Sequence, residues 1–171
     1  MNSAYSLNYK NENIGKVNLN APGKDNILNA LAAIAIGFEL GLYKQTIIEG
    51  INSYQGVRRR FEIKGEVDDV IVVDDYAHHP TEVLATIETA SVSWNRRIIA
   101  IFQPHLYSRT KEFYKDFAKA LIKSDVAIIT DIYPAREKPI EGITGQLVYE
   151  ELKKNGHVDV IYEPNLEKLT D

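Results

Sequence analysis

Three short apolar runs, at residues 70–73, 98–102 and 126–129, each end in a loop crowded with ionisable and aromatic side chains. Asp74, Asp75, Tyr76, His78 and His79 follow the first run; Gln103, His105, Tyr107 and Arg109 follow the second; Asp131, Tyr133, Arg136, Glu137 and Lys138 follow the third. Short continuous apolar runs that each lead into a helical pattern read as buried parallel strands. In an open parallel sheet the equivalent strand ends lie along one edge, and ligands bind there. The pattern therefore predicts an α/β fold in which the three loops meet at the carboxyl edge of a mostly parallel sheet flanked by helices.

The remaining periodicity fills in the other elements. Residues 3–9 and 16–20 read as two strands of a hairpin around a turn at Asn11, Glu12 and Asn13. An isolated hairpin is marginally stable in water, so the expectation is that the chain begins inside a larger sheet. After Pro22 and Gly23, Asp25 or Asn26 is a candidate cap for a helix running to about Leu42, whose apolar positions cover most of its circumference and predict extensive burial. A second helix is expected over about 44–53, with Ile47, Ile48 and Ile51 on one face. Residues 61–67 and 70–73 read as strands joined by a tight turn at Asp68 and Asp69. Pro80 suits the first turn of a helix with Val83, Leu84, Ile87, Ser91 and Trp94 inward. Phe113, Phe117 and Leu121 recur at four-residue spacing in the next helix. A helix over about 144–154, a strand near 158–162 and a last helix from Leu166 complete the series.

Composition narrows the class. The 171 residues fit one domain, or one domain and part of another, with 44% hydrophobic and 26% charged residues as in a globular protein. A formal net charge of -4 argues against a nucleic-acid or membrane-surface binder, because a polyanion gains nothing by approaching an acidic surface. Without cysteine there is neither a disulfide nor a thiolate metal site. No apolar stretch is long enough to span a membrane, and a cytoplasmic protein is expected.

The polar clusters carry the chemistry. Arg58, Arg59 and Arg60 precede a strand near the expected domain junction. Such a run is commonly a solvated face, but its position opposite carboxylates suits a guanidinium that clamps a phosphate, and Arg60 is the candidate. Residues 74–80 pack two carboxylates, a phenol and two imidazoles before a helix. One of them could be a helix cap; His and Asp could ligate a metal; or the group could line a polar pocket for a zwitterionic or phosphorylated substrate. In residues 103–110, Ser108 or Thr110 is a candidate helix cap, and Arg109 stands in a first turn where the helix dipole disfavours it. A residue placed against local preference suggests a ligand, here a carboxylate or phosphate. The chain contains no G-x-x-x-x-G-K-[ST] phosphate loop, no G-x-G-x-x-G and no G-x-S-x-G elbow.

Pro22-Gly23 with Asn26, Asn29 and Ala30, then Arg59-Arg60-Phe61, then Asp74 to Glu82, then Phe102 to Thr110 together resemble the carboxyl-terminal third of a Mur ligase. The resemblance implies that residues 1–57 are the tail of a central ATPase domain and 58–171 a Rossmann-like carboxyl-terminal domain that binds the amino acid. It implies ATP and Mg2+, both held mainly by domains outside this sequence, with the phosphate loop and metal ligands upstream of Met1 and none assigned here. The implied chemistry joins L-alanine to the lactyl carboxylate of UDP-N-acetylmuramate through an acyl phosphate, and the fragment alone would not catalyse it. By motif, Asn26 and Asn29 would contact adenine or order their loop, Arg60 would reach the ATP phosphates, and Asp75 would hold the ribose or orient Arg60. Tyr76, His78, His105 and Arg109 would line the pocket for alanine and the acyl group, with Arg109 on the carboxylate; Arg60, Asp75 and His78 are the catalytic candidates. Asp25 stands where the family commonly has His, and Leu106 where many relatives have Arg, a contact that Arg136 or Lys138 could replace. Rival readings are a ligase of the same family that attaches an intact peptide, a Rossmann-like binding module without catalysis, and a small metal hydrolase built on His78, His79 and Asp75.

Overall fold

The computed structural model describes residues 3–170, and the chain divides into two compact units between Tyr76 and Ala77. The first unit opens with strands β1 (Ser3–Tyr9) and β2 (Glu12–Leu19), paired antiparallel. The turn is tighter and earlier than expected. Lys10 and Asn11 both take left-handed backbone, with φ of 48° and 67°, as a two-residue hairpin turn requires. Glu12 and Asn13 consequently belong to the strand, and a bulge between Leu7 and Asn8 absorbs the extra residue.

Helix α1 (Lys24–Glu39) follows with Gly23 at its N-cap and no side-chain cap, so neither Asp25 nor Asn26 caps it. Asn26 instead sits inside the first turn and donates from Nδ2 to the carbonyl of Pro22 at 2.7 Å. The helix stops before Leu42 because Gly41 adopts φ 74°. Its N–H donates to Phe38 O and that of Leu42 to Gly37 O, a closure that a Cβ would disfavour. Helix α2 (Lys44–Ser53) packs back on the hairpin. Leu7, Val17, Ile34 and Ile47 form the small core between them, flanked by the stacked rings of Tyr9 and Phe38, 4.3 Å apart. The expectation that α1 would be mostly buried fails here: one stripe packs on the hairpin, while Leu28, Ile36 and Leu40 are exposed.

Strands β3 (Glu62–Val67) and β4 (Val70–Asp74) complete the unit as a second antiparallel pair, turned by Asp68 and Asp69 in left-handed backbone. This corrects the reading of residues 70–73 as a buried parallel strand. The two-residue turn commits β4 to pair with its sequence neighbour, and Val70 and Val72 are exposed.

The second unit is the expected α/β layer. Strands β5 (Ile99–Phe102), β6 (Val126–Ile129) and β7 (Val160–Tyr162) form a parallel sheet in that order. Helix α3 (Pro80–Ser93) leads into β5, α4 (Tyr107–Leu121) joins β5 to β6 and α5 (Gln146–Lys154) joins β6 to β7, and a short 3-10 helix, Leu166–Thr170, ends the described chain. One sheet face supplies Phe102, Ala127 and Ile129 to a core with Val83 and Ile87 of α3, Phe117 and Leu121 of α4, and Val148 and Leu152 of α5. The other face is not covered as the sequence reading implies, since Ile99, Ile101 and Ile161 remain exposed. Among the described residues no helix is long and apolar enough to cross a membrane.

The long segment between β6 and α5 is held at both feet. One carboxylate oxygen of Asp131 accepts the N–H of Ile132 at 2.9 Å and that of Gly145 at 3.2 Å. Gly145 lies so close to the buried Thr130 that an added Cβ would stand 2.0 Å from the Thr130 carbonyl oxygen. Gly145→Ala should therefore destabilise the protein by about 1–3 kcal/mol, as overpacking against backbone does. Gly50→Ala in α2, where nothing lies within 4 Å of an added methyl, should not; denaturant unfolding of both variants checks the contrast.

Candidate functional site

The sequence candidates fall in both units. Asn26, Asn29, Arg60, Asp75 and Tyr76 lie in the first; His78, His105 and Arg109 lie in the second.

In the first unit the arginine run forms a strained turn. Arg59 and Phe61 both have left-handed backbone, φ 57° and 48°, an arrangement that costs about 1–3 kcal/mol per non-glycine residue unless its surroundings enforce it. The surroundings do enforce it. The Asp75 carboxylate accepts the Phe61 N–H at 2.8 Å, Tyr76 N–H donates to Arg59 O at 2.7 Å, and the Glu62 carboxylate accepts the Arg59 N–H at 2.8 Å. That last contact, followed by Lys64, holds the Glu62 carboxyl below its ordinary range. Arg59 also pairs with Asp74 at 3.4 Å and lies 4.9 Å over the Tyr76 ring. Arg60, between the two strained residues, is exposed, and among the described residues it forms no ion pair. The turn thus presents one guanidinium outward and ties up the other. Asn29 is exposed on α1, and Asn26 spends one donor ordering its own loop.

In the second unit, pairing continues past the strand ends. Tyr133 N–H donates to Pro104 O at 2.8 Å and Leu106 N–H to Tyr133 O at 3.0 Å, making a parallel bridge between His105 and Tyr133. The two rings stand 5.5 Å apart, and the His78 ring is 6.2 Å from that of His105. Arg109, in the first turn of α4, approaches His105 through Nη1, 3.3 Å from Nδ1 and 3.4 Å from the carbonyl oxygen. His78, His105 and Arg109 therefore come together as expected, although the strand before His78 is not part of this sheet.

Capping explains the rest of the cluster. His79 is the N-cap of α3: its Nδ1 accepts the Thr81 N–H at 3.4 Å, and the Glu82 carboxylate accepts the N–H groups of His78 and His79 at 3.0 Å each. Glu82 also faces His78 Nδ1 at 3.4 Å. Burial pushes the Glu82 carboxyl up, but the two N–H groups and the imidazoles outweigh it and leave the group more acidic than usual. A Glu three residues after the cap is the signal in the sequence that finds Glu82, a residue absent from the sequence candidates. At α4 the candidate caps fail: Leu106 is the N-cap, at φ 75°, and Thr110 turns its hydroxyl back to Leu106 O at 2.8 Å. Ser108 instead donates its N–H at 2.9 Å and its hydroxyl to the Glu137 carboxylate. Nothing local in the sequence announces a partner 29 residues away.

Burial lowers the His105 pKa from its ordinary 6.5, helped by the Arg109 guanidinium and by His78. The ring is therefore neutral at neutral pH and can both donate and accept. Among the described residues no group of three or more His, Asp or Glu side chains converges as a metal site.

A sequence profile of the family described as "Mur ligase, glutamate ligase domain" matches residues 59–171. The UDP-N-acetylmuramate–L-alanine ligase of Geotalea daltonii is 44% identical over 169 residues, covering 99% of this chain and 37% of the relative. That of Geotalea uraniireducens is 48% identical over 160 residues, covering 94% of this chain and 35% of the relative. Among solved structures, the UDP-N-acetylmuramate-alanine ligase of Thermotoga maritima superposes with a TM-score of 0.81 at 30% identity, covering 98% of this chain and 36% of that one. A murein peptide ligase from Psychrobacter arcticus, at TM-score 0.66 and 22% identity over 98% of this chain and 35% of its own, shares the fold. The chain belongs to the Mur ligase family. It spans just over a third of the length of these relatives, 35% to 37% of the two from Geotalea.

The His105 ring should titrate below 6.5 in an NMR pH series. Arg109→Ala should raise the midpoint without restoring it, since burial is the larger cause. Because the folded state resists this proton, the unfolded chain takes it up first, and stability falls as pH drops below 6.5 toward the folded midpoint.

Proposed function

We propose that this chain is the carboxyl-terminal part of a cytoplasmic, ATP-dependent ligase that joins L-alanine to the lactyl carboxylate of UDP-N-acetylmuramate in peptidoglycan synthesis. Residues 1–57 are the tail of its central ATPase domain and 58–171 its amino-acid-binding domain, a division that the family match beginning at residue 59 supports. The observation that carries the reading is the meeting of His78, His105 and Arg109 at the carboxyl rim of the parallel sheet, in a chain whose similarity to such ligases extends over 99% of its length.

Among the chain's own residues Arg60, exposed and outward on a rigid turn, suits a phosphate of ATP; Mg2+, which commonly takes one or two carboxylates together with phosphate oxygens and water, is in this reading held mainly by the central domain. ATP, when bound, supplies the phosphoryl group that activates the lactyl carboxylate as an acyl phosphate, from which the amine of alanine displaces phosphate. Asp75, fixed to the backbone next to Arg60, orients that guanidinium. Asn26 orders the loop before α1, and Asn29 stands one turn on as the candidate adenine contact. Arg109 holds the carboxylate of alanine with its paired donors, Tyr76 borders the acyl group, and neutral His105 orients the amino acid without repelling its ammonium group. His78, backed by Glu82, takes the ammonium proton so that the amine can attack. Each group contributes by placement and charge, the terms that dominate acyl and phosphoryl transfer.

In the full-length enzyme, Arg60→Ala and Asp75→Ala should each lower kcat by about a hundredfold; Arg60→Ala should leave the melting temperature nearly unchanged, whereas Asp75→Ala, which releases the Phe61 N–H, should also lower it without unfolding the domain. Unaltered turnover in either variant would refute its assigned role. Arg109→Ala should raise KM for L-alanine far more than KM for ATP; equal shifts would place the amino acid elsewhere. Offering L-alanine, glycine, L-serine and an intact peptide to the full-length enzyme separates this reading from a peptide-attaching ligase, and absence of ligation with all four would sink it.

A further inference from the structure

Helix α4 begins without a cap of its own. Leu106 at the N-cap offers no side-chain acceptor, so the first N–H groups of the helix need partners from elsewhere. Glu137 provides them from across the rim: its carboxylate accepts the N–H and hydroxyl of Ser108 and faces the N–H of Tyr107. The segment carrying Glu137 is built to deliver it. Glu137 N–H donates to Pro134 O at 2.9 Å, and Ala135 between them takes left-handed backbone at φ 50°. The neighbours Pro134, Ala135, Arg136 and Lys138 are exposed, whereas Glu137 is half-buried.

Two consequences converge on Arg109, the residue after Ser108. A cation in the first turn is opposed by the helix dipole, and the Glu137 charge beside it offsets that repulsion. The direction of Arg109 is also set by the His105–Leu106 backbone, which Tyr133 fixes from the same long loop. We propose that Glu137 is a positioning residue of the amino-acid pocket: by clasping the start of α4 it locks the β6–α5 loop to the helix and aims Arg109 and His105 at the carboxylate of the incoming amino acid. The inference rests on the reading of His105 and Arg109 given above.

The test uses the full-length enzyme and three variants: Glu137→Ala, Glu137→Gln and Arg109→Ala. Glu137→Ala should raise KM for L-alanine about ten- to a hundredfold, as misplacement of a binding group does. KM for ATP and for UDP-N-acetylmuramate should stay within about twofold. Glu137→Gln keeps the shape and one acceptor for the Ser108 N–H but loses the charge beside Arg109, so it should raise KM for L-alanine by a smaller factor than Glu137→Ala; it carries the test if the alanine variant fails to fold. Hydrogen exchange at the Tyr107 and Ser108 amides should accelerate in both. A merely structural cap would lower the melting temperature and leave the three KM values unchanged or shift them together; either result overturns the proposal. If Arg109→Ala raises KM for L-alanine but neither Glu137 variant does, the clasp alone is wrong. If Arg109→Ala also leaves it unchanged, the pocket itself is misplaced and the clasp falls with it.

Discussion

Hydrogen bonding between β5 and β6 does not stop at Phe102 and Ile129. It runs on through Thr130, Pro104, Tyr133 and Leu106, and this extension places the rim. Parallel strands end in step, so continuing the ladder by one bridge brings two irregular segments into register and sets the rings of His105 and Tyr133 side by side. A polar loop held in this way has satisfied its backbone groups, and its side chains can be spent on something other than local order. The buried layer beneath, in which Phe117, Ala127, Ile129, Val148 and Leu152 are fully buried, gives the ladder a rigid base.

The same rim is where two helices start, and each solves its unsatisfied N–H groups with a glutamate. Glu82 serves α3 from inside its own first turn, while Glu137 serves α4 from a distant loop. The difference matters for chemistry. A local cap fixes only the helix that carries it, whereas a remote cap ties two segments together, so that Arg109, His105 and the β6–α5 loop are set as one unit. Negative charge at both helix starts also balances the Arg109 guanidinium at the rim. In the first unit Asp75 has a comparable part, since its carboxylate holds the backbone that flanks Arg60.

Much of this was legible from the chain. Helix α2 occupies the residues its isoleucine spacing marks, and β1 matches its predicted span. The bridging of the loops that carry His105 and Tyr133 followed from reading apolar runs as strands with polar tips; His78 comes near His105 even though the run before it pairs antiparallel with β3 and not in this sheet. The failures share a cause. Periodicity reports which residues prefer burial, not which partner covers them, so it does not tell that β4 pairs back on β3, or that Leu28 and Ile36 of α1 and Leu40 at its C-cap are exposed. Apolar periodicity carries α1 on to Leu42, whereas Gly41 in left-handed backbone ends it. Ser108 and Thr110 looked like caps because capping is normally local; the actual acceptor for α4 arrives through tertiary folding, which a window of a few residues does not contain.

Gly145 and Asp131 anchor the β6–α5 loop at its two feet, one by steric necessity and the other by a shared carboxylate oxygen. Between those anchors the span is mostly solvent-facing. Loop-closure entropy rises only slowly with length, so residues added or exchanged between Glu137 and the second foot should leave the sheet undisturbed so long as Tyr133 keeps its bridge to His105 and Glu137 still reaches Ser108. The architecture thereby uncouples the outline of its rim from the integrity of its scaffold, which leaves this arch free to change without risk to folding.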